Sequence, residues 1–198
     1  MESSYQLSSL PAWIAYPETE RLFTALSADG AETAPRFVGG CVRDALMNRT
    51  VCDIDLATPL SPERVMSLLA EAKIKYVPTG VEHGTVTAIV DRMPFEVTTL
   101  RRDVETDGRH AKVSFTENWQ EDAARRDFTV NALFCDMTGK VYDFFGGVRD
   151  LRQGLIRFIG DAETRIQEDY LRILRFFRFY AHYAGGTPPD ETALAACA

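Results

Sequence analysis

Two aspartates one residue apart, Asp53 and Asp55 in GGCVRDALMNRTVCDIDLAT (residues 39–58), are the side chains with the clearest chemical potential in this chain. On an extended strand, residues at i and i+2 project to the same face, so the pair can share divalent cations. Glu96, in FEVTTL, is a further acid among apolar and β-branched neighbours. On an adjacent strand it would complete a three-carboxylate cluster suited to two magnesium ions. Such acids repel one another, and burying them without a counter-charge costs several kcal/mol, so a cation is the simplest compensation. D-x-D alone is common and usually faces solvent; the residues in front of it sharpen the reading. Gly39 and Gly40 let the backbone approach an anion, the helix that follows offers N–H groups at its start, and Arg43 can fork onto a phosphate. A phosphate cradle beside a metal cluster describes a nucleoside triphosphate site.

A near copy, GGVRDLRQGLIRFIGDAE, spans 146–163. Here Asp161 and Glu163 follow a glycine and open a long helical pattern, which fits a cap and a first-turn acid favoured by the helix dipole. This copy reads as structural, with Gly146 and Gly147 in a turn.

The elements that must position these residues alternate. ETERLFTALSA (18–28) reads as a helix, RFVGG as a short buried strand entering a tight turn, and VCDIDLA as a strand. SPERVMSLLAEAKI opens with a Ser cap and a Pro at the first helical position, and GTVTAIVDRMPFEVTTLR is a hairpin turning near Asp91 to Pro94. A polar, irregular stretch follows from 101 to about 118, then a short helix, the segment RRDFTVNALFCD, a turn at MTGK and a strand at VYDF. From Asp161 one long helix is expected, ended by Gly185 and Gly186, with Ile166, Tyr170, Ile173, Leu174, Phe177, Tyr180 and Ala181 on its apolar face.

Hydrophobic residues make up 45% of the 198 and charged ones 26%, enough for a globular core. The net charge of −7 argues against a protein that coats nucleic acid nonspecifically, although arginines cluster locally. Cys41, Cys52, Cys135 and Cys197 lack C-x-x-C spacing, which fits free thiols in a reducing compartment. The N-terminal stretch has neither a basic n-region nor an unbroken apolar run, so a cytoplasmic protein without a membrane span is expected.

In this order and spacing, GGCVRD, DID, EVTTLRRD, RRDFTVNAL and EDYLRILRFFRF resemble the class II tRNA nucleotidyltransferase and bacterial poly(A) polymerase family, within the polymerase-β-like nucleotidyltransferase superfamily. The likeness runs from about Arg36 to Tyr180. It implies an α+β fold, a small mixed sheet flanked by helices forming a head (1–160), followed by the start of an all-helical neck (161–198). It further implies that Asp53 and Asp55 bind two magnesium ions with Glu96 as third acid, and that Gly39, Gly40, Arg43 and Arg126 face the triphosphate. Asp127 and Asn131 match residues that contact the ribose. Asp169 and Arg172 match the pair that selects the base, with Arg175 and Arg178 supporting them or facing RNA phosphate.

A carboxylate acceptor beside a guanidinium donor suits cytosine and adenine, which offer an exocyclic amine next to a ring-nitrogen acceptor; an i, i+3 ion pair on a helix is the plainer alternative. The implied activity is template-independent addition of CCA to the tRNA 3′ end from CTP and ATP. Residues 102–115 resemble the loop that helps such enzymes change from CTP to ATP, which favours complete CCA addition over a CC-only enzyme, and no G-R-R-F-type signature follows the third acid, which argues against a poly(A) polymerase; poly(A) or A-only addition is the alternative within the family. A catalytically inactive nucleotide- or RNA-binding module is the alternative of another class.

Overall fold

A computed structural model describes residues 3–107 and 110–198. The strands are β1 (Ser3–Gln6), β2 (Arg36–Val38), β3 (Asp55–Thr58), β4 (Lys75–Gly80), β5 (Thr85–Val90), β6 (Met93–Thr99), β7 (Arg101–Asp107), β8 (His110–Phe115), β9 (Leu133–Cys135) and β10 (Lys140–Asp143). The helices are α1 (Pro17–Leu26), α2 (Gly40–Leu46), α3 (Pro62–Glu71), α4 (Trp119–Ala124), α5 (Gly147–Gln153), α6 (Ala162–Glu168), α7 (Leu171–Tyr183) and α8 (Glu191–Ala196). A mixed sheet runs β1-β10-β9-β2-β3-β6-β5-β4, and β7 pairs with β8 in a separate antiparallel ribbon. Within the sheet β3 and β6 run parallel, Asp55 beside Glu96, while the other pairs are antiparallel.

Local chemistry accounts for the edges of these elements. Pro62 sits in the first turn of α3, where its missing N–H costs nothing, and the Ser61 hydroxyl accepts from Arg64 N–H at 3.3 Å. The β5–β6 hairpin turns through Asp91 and Arg92, both left-handed with φ of 46° and 74°, as a two-residue turn matched to strand twist requires. Period-2 alternation then sorts the sheet faces. Phe37, Leu56, Phe95 and Val97 turn to one side, where they pack with Leu22 and Leu26 of α1 and Leu68 and Leu69 of α3. Asp55, Glu96 and Thr87 fall on the other side, on positions the helices leave open.

Three expectations change. The strand expected from Val51 begins only at Asp55, so Asp53 precedes the ladder. The stretch expected to be irregular carries the β7–β8 ribbon, which takes in most of the expected CTP-to-ATP loop (102–115); residues 108–109 and the side chains of 103–112 lie outside the described residues.

The single long helix is in fact two. Asp169 adopts an extended backbone (φ −157°, ψ 106°) after α6, and its carboxylate accepts from Leu171 N–H at 3.0 Å, so a local cap competes with the helix although no Gly or Pro is present. The buried side of α7 is correspondingly rotated. Phe176 and Phe179 are buried against Phe128 and Phe158, whereas Leu174 and Phe177, expected inside, are 68% and 47% exposed.

The second glycine pair is structural in a specific way. Asp143, buried at the end of β10, accepts from the N–H groups of Phe145, Gly146, Gly147 and Val148 at 2.8–3.2 Å and so fills the turn with its own carboxylate. Asp161 caps α6 through Thr164 N–H at 2.9 Å. A Cβ on Gly147 would meet Thr129 O at 2.1 Å, whereas one on Gly146 would meet nothing within 4 Å and face only the strain of φ 80°. Gly147→Ala is therefore expected to cost more than about 2 kcal/mol in denaturant unfolding, and Gly146→Ala roughly 1 kcal/mol.

Candidate active site

Two clefts meet at Asp55. The first, about 600 Å³, is lined by Asp53, Asp55, Glu96, Thr87, Met93 and Pro94 together with Trp13, Tyr16 and Arg49. The parallel register of β3 and β6 sets Asp55 and Glu96 side by side on one face, and Asp53 stands close enough for its charge to be felt at Asp55. Burial, then Glu96, then Asp53 push the Asp55 carboxyl above the ordinary carboxylate range, while Arg126 works against them. The trio expected from the sequence is thus on one surface.

Among the described residues no three acidic side chains are already gathered at ligating distance. Asp55 is partly buried while Asp53 and Glu96 are exposed, and hard oxygen donors that repel one another fit a divalent cation.

The second cleft, about 630 Å³, is lined by Gly39, Gly40, Arg43, Asp55, Arg126, Asp127, Asn131, Asp169, Arg172 and Arg175, with Arg101, Arg125, Leu171 and Phe179. Gly39 sits at φ 71° between β2 and α2; a Cβ there would lie 3.5 Å from Arg126 Nη1, and one on Gly40 3.7 Å from Arg43 Nη2, so two guanidinium groups hang over the glycine pair. Three residues before Gly39 stands Arg36, where the second copy has Asp143. The first turn therefore lacks the internal carboxylate that fills its counterpart.

Each arginine of this cleft has an anchor. Arg43, 8% exposed, donates from Nη1 to Asn131 Oδ1 at 2.6 Å and forks onto Asp44 at 3.1 Å, while Tyr183 OH donates to Asp44 at 3.0 Å. Asn131 in turn donates to Asp127 Oδ1 at 3.0 Å, and Arg175 Nε to Asp127 Oδ2 at 2.7 Å. Arg125 and Arg126 share Asp122. There burial would raise the carboxyl, but the guanidinium groups of Arg126 and Arg125 hold it below the ordinary range. Burial lowers Arg125 to about 10 against the pull of Asp122.

Asp169 and Arg172 both line the cleft but do not form the i, i+3 pair of the plainer sequence reading. Arg172 pairs with Glu168 and donates to Arg165 O at 2.6 Å, while Asp169 caps α7. Arg178 stands apart, its guanidinium 5.4 Å from the Phe179 ring centroid, in a smaller cleft shared with Arg43, His182 and Tyr183. Sequence reasoning missed Asp122 and Glu168. Their signal is acid–arginine spacing of three and four residues, Asp122 to Arg125 and Arg126, Glu168 to Arg172. Cys41, buried beneath the glycine turn, donates to Val38 O at 3.4 Å, and burial pushes its thiol up to about 11, which keeps it inert.

The family described as the poly A polymerase head domain matches residues 35–157. The chain belongs to that family. It is 51% identical over 150 residues to the mitochondrial CCA tRNA nucleotidyltransferase 1 of Danio rerio, covering 75% of this chain and 35% of the relative. It is 48% identical over 173 residues to the CCA-adding enzyme of Oceanobacillus iheyensis, covering 86% and 42%.

The crystal structure of the Bacillus stearothermophilus CCA-adding enzyme in complex with CTP superposes with a TM-score of 0.78 at 35% identity, over 91% of this chain and 43% of that one. The chain therefore spans less than half the length of these relatives. The α+β fold expected from the sequence is the one this likeness carries. Nucleotidyltransferases of the family typically use divalent metals. No helix among the described residues is long and apolar enough to cross a membrane.

The raised Asp55 carboxyl has a thermodynamic consequence. The folded chain binds this proton more tightly than the unfolded chain, so stability falls as pH rises through and beyond the ordinary carboxylate range. Without divalent cations, Asp55→Asn is expected to raise the melting temperature at pH 7, because it removes the charge that burial, Glu96 and Asp53 disfavour. The gain should vanish near pH 3. Calorimetric scans at the two pH values measure it, and a variant less stable at pH 7 would contradict the assignment.

Proposed function

We propose that this chain is the catalytic head (1–160) and the beginning of the helical neck (161–198) of an enzyme that adds CCA to the 3′ end of tRNA from CTP and ATP without a template. The observation that carries the reading is the junction at Asp55: a carboxylate cleft on one side, an arginine cleft over a glycine turn on the other. Attack on the α-phosphate of a nucleoside triphosphate needs both at once, a place for the nucleophile and metals, and fixed positive charge for the leaving pyrophosphate. The identity to CCA-adding enzymes over three quarters or more of the chain supports this substrate class.

Asp53 and Asp55 would hold two magnesium ions, with Glu96 as the third acid beside them. Bound there, the cations supply Lewis acidity toward the 3′-hydroxyl and neutralise charge on the leaving group. Gly39 and Gly40 admit the triphosphate to the backbone, and Arg126 and Arg43 present donors to its oxygens. Asp127 and Asn131 hold the ribose, and Arg175 fixes Asp127 by its ion pair. That pairing makes Arg175 a support for the ribose contact in preference to an RNA phosphate ligand. Asp169 and Arg172 select the base, Arg172 being held in place by Glu168. Arg178, outside the cleft, faces RNA phosphate. The free cysteines favour a reducing compartment, the cytoplasm.

Incorporation assays on the full-length enzyme, with each triphosphate in turn and tRNAs lacking one, two or three terminal residues, test the proposal. Cytidine should be added to tRNA lacking CCA, and adenosine to tRNA ending in CC. Asp53→Ala should reduce either rate by at least about 10³, the several kcal/mol of transition-state stabilisation that metal catalysis supplies. Adenosine addition without any cytidine addition would identify a poly(A) or A-only enzyme, and nucleotide binding without turnover an inactive module.

A further inference from the structure

We infer that Asp122 is a positioning residue for the triphosphate: its one buried carboxylate sets where Arg125 and Arg126 present their guanidinium groups to the arginine cleft. The inference rests on the function proposed above. Asp122 lies on α4, outside the cleft, and is 1% exposed. Its Oδ1 accepts from Arg125 Nε at 2.8 Å and from the backbone N–H of Arg101 at 3.2 Å. Its Oδ2 accepts from Arg126 Nε at 3.2 Å and Nη2 at 3.0 Å. Each oxygen therefore serves a different cleft-lining arginine, and the backbone of a third is tied to the same group.

The geometry gives this division a direction. A guanidinium has two usable edges, and Arg126 spends the Nε–Nη2 edge on Asp122. Its remaining nitrogen, Nη1, is the atom that lies 3.5 Å from a Cβ built on Gly39. The anchor thus aims the free end of Arg126 at the glycine turn. Arg125 and Arg126 are adjacent like charges at the end of a six-residue helix and would otherwise splay apart; the carboxylate between them holds both. Arg165, which donates to Arg126 O at 2.8 Å, fixes the backbone beneath. Because an arginine side chain has many rotamers to lose, fixing it before the ligand arrives removes a cost from binding. An asparagine amide offers one acceptor oxygen and no charge, so it cannot serve both arginines.

Calorimetric titration of the chain with CTP and magnesium, with cytidine as control, tests this. Asp122→Asn should weaken CTP binding about tenfold and leave cytidine binding unchanged. Asp122→Glu, which restores two charged oxygens on a longer arm, should recover affinity to within about threefold of wild type. The discriminating arm is the mutant cycle: in a background carrying both Arg125→Ala and Arg126→Ala, Asp122→Asn should add less than about a twofold further loss.

A full tenfold loss in both backgrounds would show that Asp122 acts only through the fold and would overturn the inference, as would unchanged CTP affinity in Asp122→Asn. If the asparagine variant is unfolded at the working temperature, Asp122→Glu carries the cycle with its smaller loss, up to about threefold, present with Arg125 and Arg126 and absent without them; an equal loss in both backgrounds overturns the inference. Failure of the wild-type chain to bind CTP at all would instead overturn the proposed function, and this inference with it.

Discussion

The arrangement depends on one rung of parallel ladder, Asp55 on β3 beside Glu96 on β6. Like charges side by side across a ladder oppose pairing, and at Asp55 partial burial adds to the opposition. The rung holds because the opposite face of the same strands is closed: Leu56, Phe95 and Val97 are essentially inaccessible beneath α1 and α3. Burial of such side chains contributes about 1.5–3 kcal/mol each, more than the repulsion removes. The fold thus spends core packing to keep two acids together where a cation can bind.

Positive charge in the adjoining cleft is handled differently. The acids repel one another, whereas most arginines of the cleft are tethered to a carboxylate or amide: Arg43 to Asp44 and Asn131, Arg125 and Arg126 to Asp122, Arg172 to Glu168, Arg175 to Asp127. Several anchors come from segments far apart in the chain, so the cleft is formed only when β2–α2, α4, the 127–131 turn and α7 are assembled. Phe128 joins these segments, its ring packing on both Phe158 and Phe179. An aromatic core therefore sits directly beneath the polar network.

Much of this was legible in the sequence, and the failures have physical causes. The hairpin bearing Glu96, the Ser61 cap and the capping role of Asp161 follow from local rules, because alternation, turn residues and N-caps act over a few residues. α7 was misread because Phe176, Phe177 and Phe179 leave hardly any polar side from which to orient it; tertiary contacts with Phe128 and Phe158 decide which phenylalanines go inside. The break at Asp169 carries no Gly or Pro, only a carboxylate that caps the next turn. Asp122 was overlooked because a buried acid on a short helix looks the same as a solvated one until its arginines are seen to turn inward. The two glycine copies differ by one residue in effect, Asp143 against Arg36, and that difference leaves one turn filled and the other available to an outside anion.

The most direct test of the central claim is a crystal of the chain soaked with manganese and CTP, read by anomalous scattering. The account predicts manganese between the carboxylates of Asp53 and Asp55, with the triphosphate running from there over Gly39 toward Arg126. Manganese bound elsewhere, or a nucleotide lying in the cleft of Trp13 and Met93 with the arginine cleft empty, would contradict it.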